Sequence, residues 1–221
     1  MSGLPTLSAT SLLSSSSSSS SSAVLARAER AAATRALRAA ARPPPELHVL
    51  GELLGGSGFG AGAATCCKWA LEAGERWELL EGARGGQTQT DAPAAGTDTC
   101  VWAHPIDAHF RVGALQGWPR LLVQVWRLDD VGRLEVEGYG VAHVPPSPGL
   151  HELSIATWRP VGTAADEWAA FFVGGTPALK STAVLFAAAS ERHRLVTVGS
   201  GSVHVRLELL QRHMDAYGVE T

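Results

Sequence analysis

The chain has 221 residues, 45% of them apolar, and a formal net charge of −3, which is ample material for one sizeable domain with a buried core. Of its 18 Lys and Arg, five (Arg27, Arg30, Arg35, Arg38 and Arg42) precede residue 46, against one of its 21 Asp and Glu (Glu29), so the remainder carries 13 bases and 20 acids. That acid surplus argues against a nucleic-acid surface, which needs clustered Lys and Arg, and against strong nonspecific adhesion to anionic lipid; no apolar run reaches the roughly 20 residues of a membrane-spanning helix.

Residues 1–45 form a tail of their own. Nine consecutive serines, Ser14 to Ser22, lead into an Ala- and Arg-rich stretch that Pro43 to Pro45 close. Ala23 to Ala41 should be helical by propensity, with only Val24, Leu25 and Leu37 larger than Ala on its apolar face. Ser-rich, Arg-rich and acid-poor is how an organelle transit peptide reads; the same composition fits an unstructured extension or a start placed upstream of the true one.

From residue 46 the patterning turns to strands. Glu46 to Leu54 reads as the first, the glycine-rich GGSGFGAG (Gly55 to Gly62) as a turn, Cys66 to Leu71 as a second strand and Trp77 to Leu80 as a short third. Gly82 to Asp98 is polar and long enough to read as a loop. Ile106, Ala108, Phe110 and Val112 then alternate with Asp107, His109 and Arg111, a strand with one wet face. Leu121 to Trp126 and Leu134 to Glu137 follow as antiparallel neighbours, and His151 to Trp158 as another strand. Thr163 to Phe172 changes period to a short amphipathic helix, stopped by Gly174 and Gly175. His193 to Val198 and Ser202 to Leu210 flank GSG and read as a hairpin. The sum is an all-β antiparallel sandwich of about eight strands with one short inserted helix, occupying 46–221.

Enzyme motifs are thin. Gly56, Gly58 and Ala61, and again Gly58, Gly60 and Ala63, satisfy a dinucleotide-type GxGxxA, but that chemistry needs a helix and a parallel strand next, and hairpin spacing follows. There is no GxSxG nucleophile elbow and no Gly-Lys pair for a phosphate loop. His104, Asp107 and His109 cluster in sequence, yet only Asp107 and His109 share a strand face, and two ligands make no structural metal site. Cys66, Cys67 and Cys100 include no CxxC pair and are odd in number, so reduced, buried thiols are expected. Asp129 and Asp130 follow a strand where calcium-binding sandwiches place acidic ligands; calcium wants roughly six or more oxygens from converging loops, and GGSGFGAG offers no carboxylate. They are the sole calcium candidates, with a solvated turn as the simpler reading. No catalytic or cofactor-binding residue is expected.

Three aromatic residues are the interface candidates. Trp126 falls on the polar phase of its strand with Gln124, and an exposed Trp there suits a protein partner. Trp118, with Pro119, sets the turn into the central strand. Tyr139 lies between Gly138 and Gly140, a spacing that predicts a bulge or close packing.

Several ordered motifs together resemble the B9-domain proteins of the ciliary base: CKW (Cys67 to Trp69), GQTQTD (Gly86 to Asp91), HPID (His104 to Asp107), LQGWPRL (Leu115 to Leu121), GYG (Gly138 to Gly140), HVPPSPG (His143 to Gly149), TWRP (Thr157 to Pro160) and FVGG (Phe172 to Gly175). The closing DAYGVE (Asp215 to Glu220) resembles the ending of one member in particular. The resemblance covers about residues 46 to 221; the Ser/Ala/Arg tail departs from it. It implies a C2-like domain without catalysis or cofactor, a cytoplasmic and cytoskeletal protein of the basal body and transition zone. The implied partners are the two other B9-domain proteins, B9 domain-containing protein 1 and the Meckel syndrome type 1 protein, the tectonic-like complex, and γ-tubulin. The implied role is structural: ciliogenesis and gating of membrane-protein entry into the cilium. The alternative is a peripheral C2-type module that responds to lipid or calcium.

Overall fold

The computed structural model describes residues 24–34, 43–94, 96–129, 131–161 and 196–218. The chain divides into two units, Met1–Pro43 and Pro44–Thr221. In the first, residues 24–34 are helical, as their alanine content predicts; the Thr34 hydroxyl donates back to the Arg30 carbonyl at 2.8 Å, and Val24 and Leu25 are exposed. The rest of the tail lies outside the described residues.

Among the described residues the second unit holds nine strands: β1 Glu46–Ser57, β2 Ala64–Glu72, β3 Trp77–Gly82, β4 Gly85–Gln87, β5 Thr99–Val112, β6 Arg120–Leu128, β7 Leu134–His143, β8 Gly149–Pro160 and β9 Thr197–Arg212. A 3-10 turn at Met214–Tyr217 follows. All recorded pairings are antiparallel, in the order β3-β5-β1-β9-β8-β7-β6-β2-β4. Only one residue pair, Tyr139 with Trp158, joins β7 to β8, so the curled sheet folds there into two layers. The alternation seen in the sequence fills the space between them. Leu47, Val49, Ile106, Phe110, Val203, Val205 and Leu207 of one layer belong to the same buried cluster as Cys67, Trp69, Leu71, Leu121, Val123 and Val125 of the other. An antiparallel sandwich is the architecture these residues specify.

The structure corrects three element assignments. Residues 82–98 are not simply a loop: β4 pairs with β2 through Trp69 and Gly86, and Asp91 bridges to Thr65. The segment is polar because it is an edge with one wet side. The GSG near the end is not a hairpin turn, because β9 runs straight through it. Gly199 and Gly201 lack the positive φ of a tight turn; instead the register slips by a bulge against Thr157 and Trp158, and bare Gly201 lets the Phe59 ring pack close. Finally, β1 runs on to Ser57 and absorbs the start of the glycine-rich segment. The helix expected over 163–172 lies outside the described residues, as do 193–195 of the expected hairpin.

Candidate interaction surfaces

Strand β6 reads RLLVQVWRL, apolar on both phases. Leu121, Val123 and Val125 face the main core, so Leu122, Gln124 and Trp126 must face outward. There Leu122, Val136 and Tyr139 form a second buried cluster, with Ala70, Trp126, Val141 and Trp158 packed against it. The Tyr139 and Trp158 rings meet at 5.9 Å and 45°. Trp126 and Tyr139 therefore come together: Trp126 is half-buried and Tyr139 is 1% exposed. The glycines beside Tyr139 do what their spacing predicts. A bulge lies between Val125 and Trp126 opposite Gly138; a methyl on Gly138 would collide with Ser200 Oγ, and one on Gly140 would lie 2.8 Å from Ile155 Cγ2.

Trp118 is not part of that cluster. It packs on the main core, edge-on to Trp77 at 5.2 Å, and its Nε1 donates to the Val144 carbonyl at 2.9 Å. Its loop is tied to the β2–β3 turn by Gly74 N to Gly117 O at 2.8 Å and Trp77 Nε1 to Gln116 O at 3.1 Å. Beside it lies a cleft of about 500 Å³ whose lining includes Glu72, Leu115, Trp118, Arg120 and His143.

At the opposite end, the β6–β7 hairpin holds Asp129. Its carboxylate accepts from Val131 N (3.0 Å), Arg133 N (2.7 Å) and Arg133 Nε (2.8 Å). The Arg133 backbone N–H, seconded by its guanidinium and by Val131 N, holds this carboxyl below its ordinary range. Asp129 is thus the internal cap of the turn, with its oxygens already engaged; Asp130 lies outside the described residues. Leu128, Val131 and Leu134 are exposed around this tip, Val131 at 78%.

On the wet faces of β1 and β5 the titratable side chains meet in pairs. His48 meets Asp107 at 2.8 Å and His109 meets Glu46 at 3.3 Å, with the two imidazoles stacked at 4.9 Å; His104 lies apart, against Trp69. Among the described residues, no three His, Cys, Asp or Glu converge as metal ligands. All three cysteines are free and buried. Burial pushes the Cys67 thiol up to about 12, and it raises Cys66 and Cys100 as well.

The GQTQTD segment proves to be a seam between layers. Gln89 Nε2 donates to the Trp102 carbonyl and Asp91 Oδ2 accepts from Val101 N at 2.8 Å; upstream of the segment, Ala83 N donates to Asp107 O at 2.9 Å. These contacts satisfy the open side of β5, which carries Ala103 at φ 46. The alternation Gln87, Gln89, Asp91 was the available signal for an edge strand, masked by the flanking glycines and the segment's polarity.

These strands build an antiparallel β-sandwich with a second apolar cluster on its outward face. The family model for B9-C2, ciliary basal body-associated B9 proteins, matches residues 47–210. B9 domain-containing protein 2 of Rattus norvegicus is 49% identical over 175 residues, covering 79% of this chain and 98% of that protein. B9 domain-containing protein 1 of Mus musculus is 29% identical over 158 residues, covering 70% and 76%. Among solved structures, a C2 domain of plant extended synaptotagmin 1 covers 77% of this chain and 96% of its own, at 16% identity and a TM-score of 0.37. The chain belongs to the B9-domain family of ciliary basal body-associated proteins.

Proposed function

We propose that this protein is a non-catalytic adaptor of the ciliary transition zone, joining B9 domain-containing protein 1 and the Meckel syndrome type 1 protein, and through them a tectonic-like membrane complex. In that setting it serves ciliogenesis and the gating of membrane proteins, with γ-tubulin as a further contact at the basal body. The domain organisation that goes with it is a tail over 1–45 and a B9 domain over 46–221. The observation that carries the reading is similarity along nearly the whole length of a B9 relative. The surface supports it: outward-facing Trp126 and Trp158 lie on a second apolar cluster, as an interface needs. Co-expression of the three B9-domain proteins tests it. A ternary complex in gel filtration is the expected result, and elution of this chain alone at micromolar concentration would end the reading.

The hairpin tip favours a second role, peripheral membrane contact without calcium. Leu128, Val131 and Leu134 protrude around a turn whose carboxylate is already neutralised by Arg133, so a metal has no function to perform at Asp129. Sedimentation with phosphatidylcholine vesicles should then be equal with and without calcium and lost in Val131→Asp. Absence of sedimentation, or a requirement for calcium, would exclude that role.

A further inference from the structure

The two strands that end the sheet are protected differently. β3 is guarded: Glu78 is ion-paired to Arg111 at 2.7 Å, a bulge separates Leu79 from Glu81, and Arg84 Nη2 covers the Trp77 carbonyl at 2.8 Å. Charges, bulges and covered carbonyls are the usual means of refusing another strand. β4, at the other end of the order, has none of them among the described residues; it is Gly85, Gly86 and Gln87.

Hydrogen-bond parity says which of its groups are free for a partner. Leu71 N donates to Arg84 O at 2.6 Å and Thr88 N to Cys67 O at 2.9 Å. Between them Gly86 stands opposite Trp69, so residues 84, 86 and 88 turn their backbone groups toward β2. Alternation then directs the N–H and C=O of Gly85 and Gln87 away from it. Both residues are exposed.

A third observation concerns what lies behind this edge. Trp102, Trp77 and Trp118 each donate their indole N–H to a backbone carbonyl, but Trp69 Nε1 is buried and has no acceptor among the described residues. A buried unpaired donor forfeits its hydration without a replacement bond and calls for an explanation. Trp69 Nε1 and His104 Nε2 converge under Gly86: a methyl there would lie 3.0 Å from the first and 3.3 Å from the second. An indole N–H can only donate, so whatever completes this recess must accept.

We propose that β4 is a docking edge that receives an extended segment of a partner protein as an additional strand, with an accepting side chain, Asp, Glu, Asn or Gln, turned inward beside Gly86 toward Trp69 Nε1 and His104. The residue opposite Gly86 on an added strand shares its inward face, which is the face of the recess. Backbone pairing supplies affinity and the inward residue supplies selectivity, the division of labour in strand addition generally. The inference rests on the adaptor reading and takes B9 domain-containing protein 1 as the partner.

Gln87→Pro and Gln87→Ala separate backbone from side chain. Both remove the contact of Gln87 Nε2 with Cys66 Sγ, but only proline removes the outward N–H, at an edge position that tolerates it. Titration of purified B9 domain-containing protein 1 against the full chain should show Kd raised at least tenfold by Gln87→Pro and unchanged by Gln87→Ala. Amide exchange at Gly85 and Gln87 of the unmutated chain should slow on adding the partner, which decides the matter should the proline variant fail to fold. Binding of Gln87→Pro at the original affinity, equal loss in both variants, or unprotected Gly85 and Gln87 amides in the complex overturns the docking edge and leaves the adaptor reading standing. No binding by the unmutated chain overturns both.

Discussion

The two apolar clusters of the sandwich differ in how they are sealed. The main core lies between two layers, and Leu47, Val49, Trp102, Phe110, Val123 and Leu207 in it are 0% exposed. The second lies on the outward face of β2, β6, β7 and β8, where Trp126 and Trp158 remain half-buried. The first is what a domain needs in order to fold. The second exceeds that need, since an outward strand face is ordinarily polar. Apolar residues on both phases of β6 therefore build two buried clusters, one on each face of its layer.

Substitutions can break this comparison in order of size. Trp102→Ala removes a fully buried ring and its donation to the Thr65 carbonyl at 3.1 Å; it should cost about 3–5 kcal/mol in urea unfolding. Gly138→Ala forces a methyl against Ser200 and Thr157 and should cost about 1–3 kcal/mol by overpacking. Trp126→Ala, on the outward face, should cost only about 1–2 kcal/mol at the usual 25 cal/mol per Å² of apolar burial, while weakening the ternary complex. A loss as large as that of Trp102→Ala would mean that the second cluster is core after all. Pro119, buried and accepting from Val144 N at 3.1 Å, should disturb folding more than partner binding when changed to Ala; equal stability with lost binding would reverse that assignment.

The smallest effect expected is chemical. With the Cys67 thiol pushed up to about 12 by burial, the folded protein should leave Cys67 unmodified by a thiol reagent at pH 8, while the unfolded chain reacts. The folded thiol keeps its proton where the unfolded one, with a pKa near 8.5, loses it. This group's contribution is therefore present below about 8.5 and lost as pH rises toward about 12. At Asp129 the sign is opposite. Its carboxyl is held low, so the hairpin's cap is intact above the ordinary carboxylate range and released on acidification through its folded value. Chemical shifts of Val131 and Arg133 amides across pH 2 to 6 would follow that release.

How legible these regions were in the sequence follows from the same physics. Period-two alternation located β5 and the core face of β9, because a half-buried strand writes its geometry directly into residue order. In β6 the run Leu121, Leu122, Val123 was readable as a strand, but Trp126 on the polar phase could not reveal that Tyr139 and Trp158 would meet it, since pairing across β7 and β8 is non-local. Gly86 to Asp91 stood out as a family motif, yet its seam to β5 depends on Gln89 and Asp91 reaching across layers. Gly199 to Gly201 misled as a turn because glycine serves equally for positive φ and for close approach. Asp129 was identified as a loop acid; its pairing with Arg133 in the same turn, visible four residues on, decides its role.

A working place for the chain at the base of the cilium is tested most directly by the position of a tagged full-length protein at near-native level in a ciliated cell. Paired spots at and just distal to the basal bodies are the predicted result. Signal confined to a mitochondrion or plastid would contradict it and make the Ser- and Arg-rich segment before residue 46 a working transit peptide.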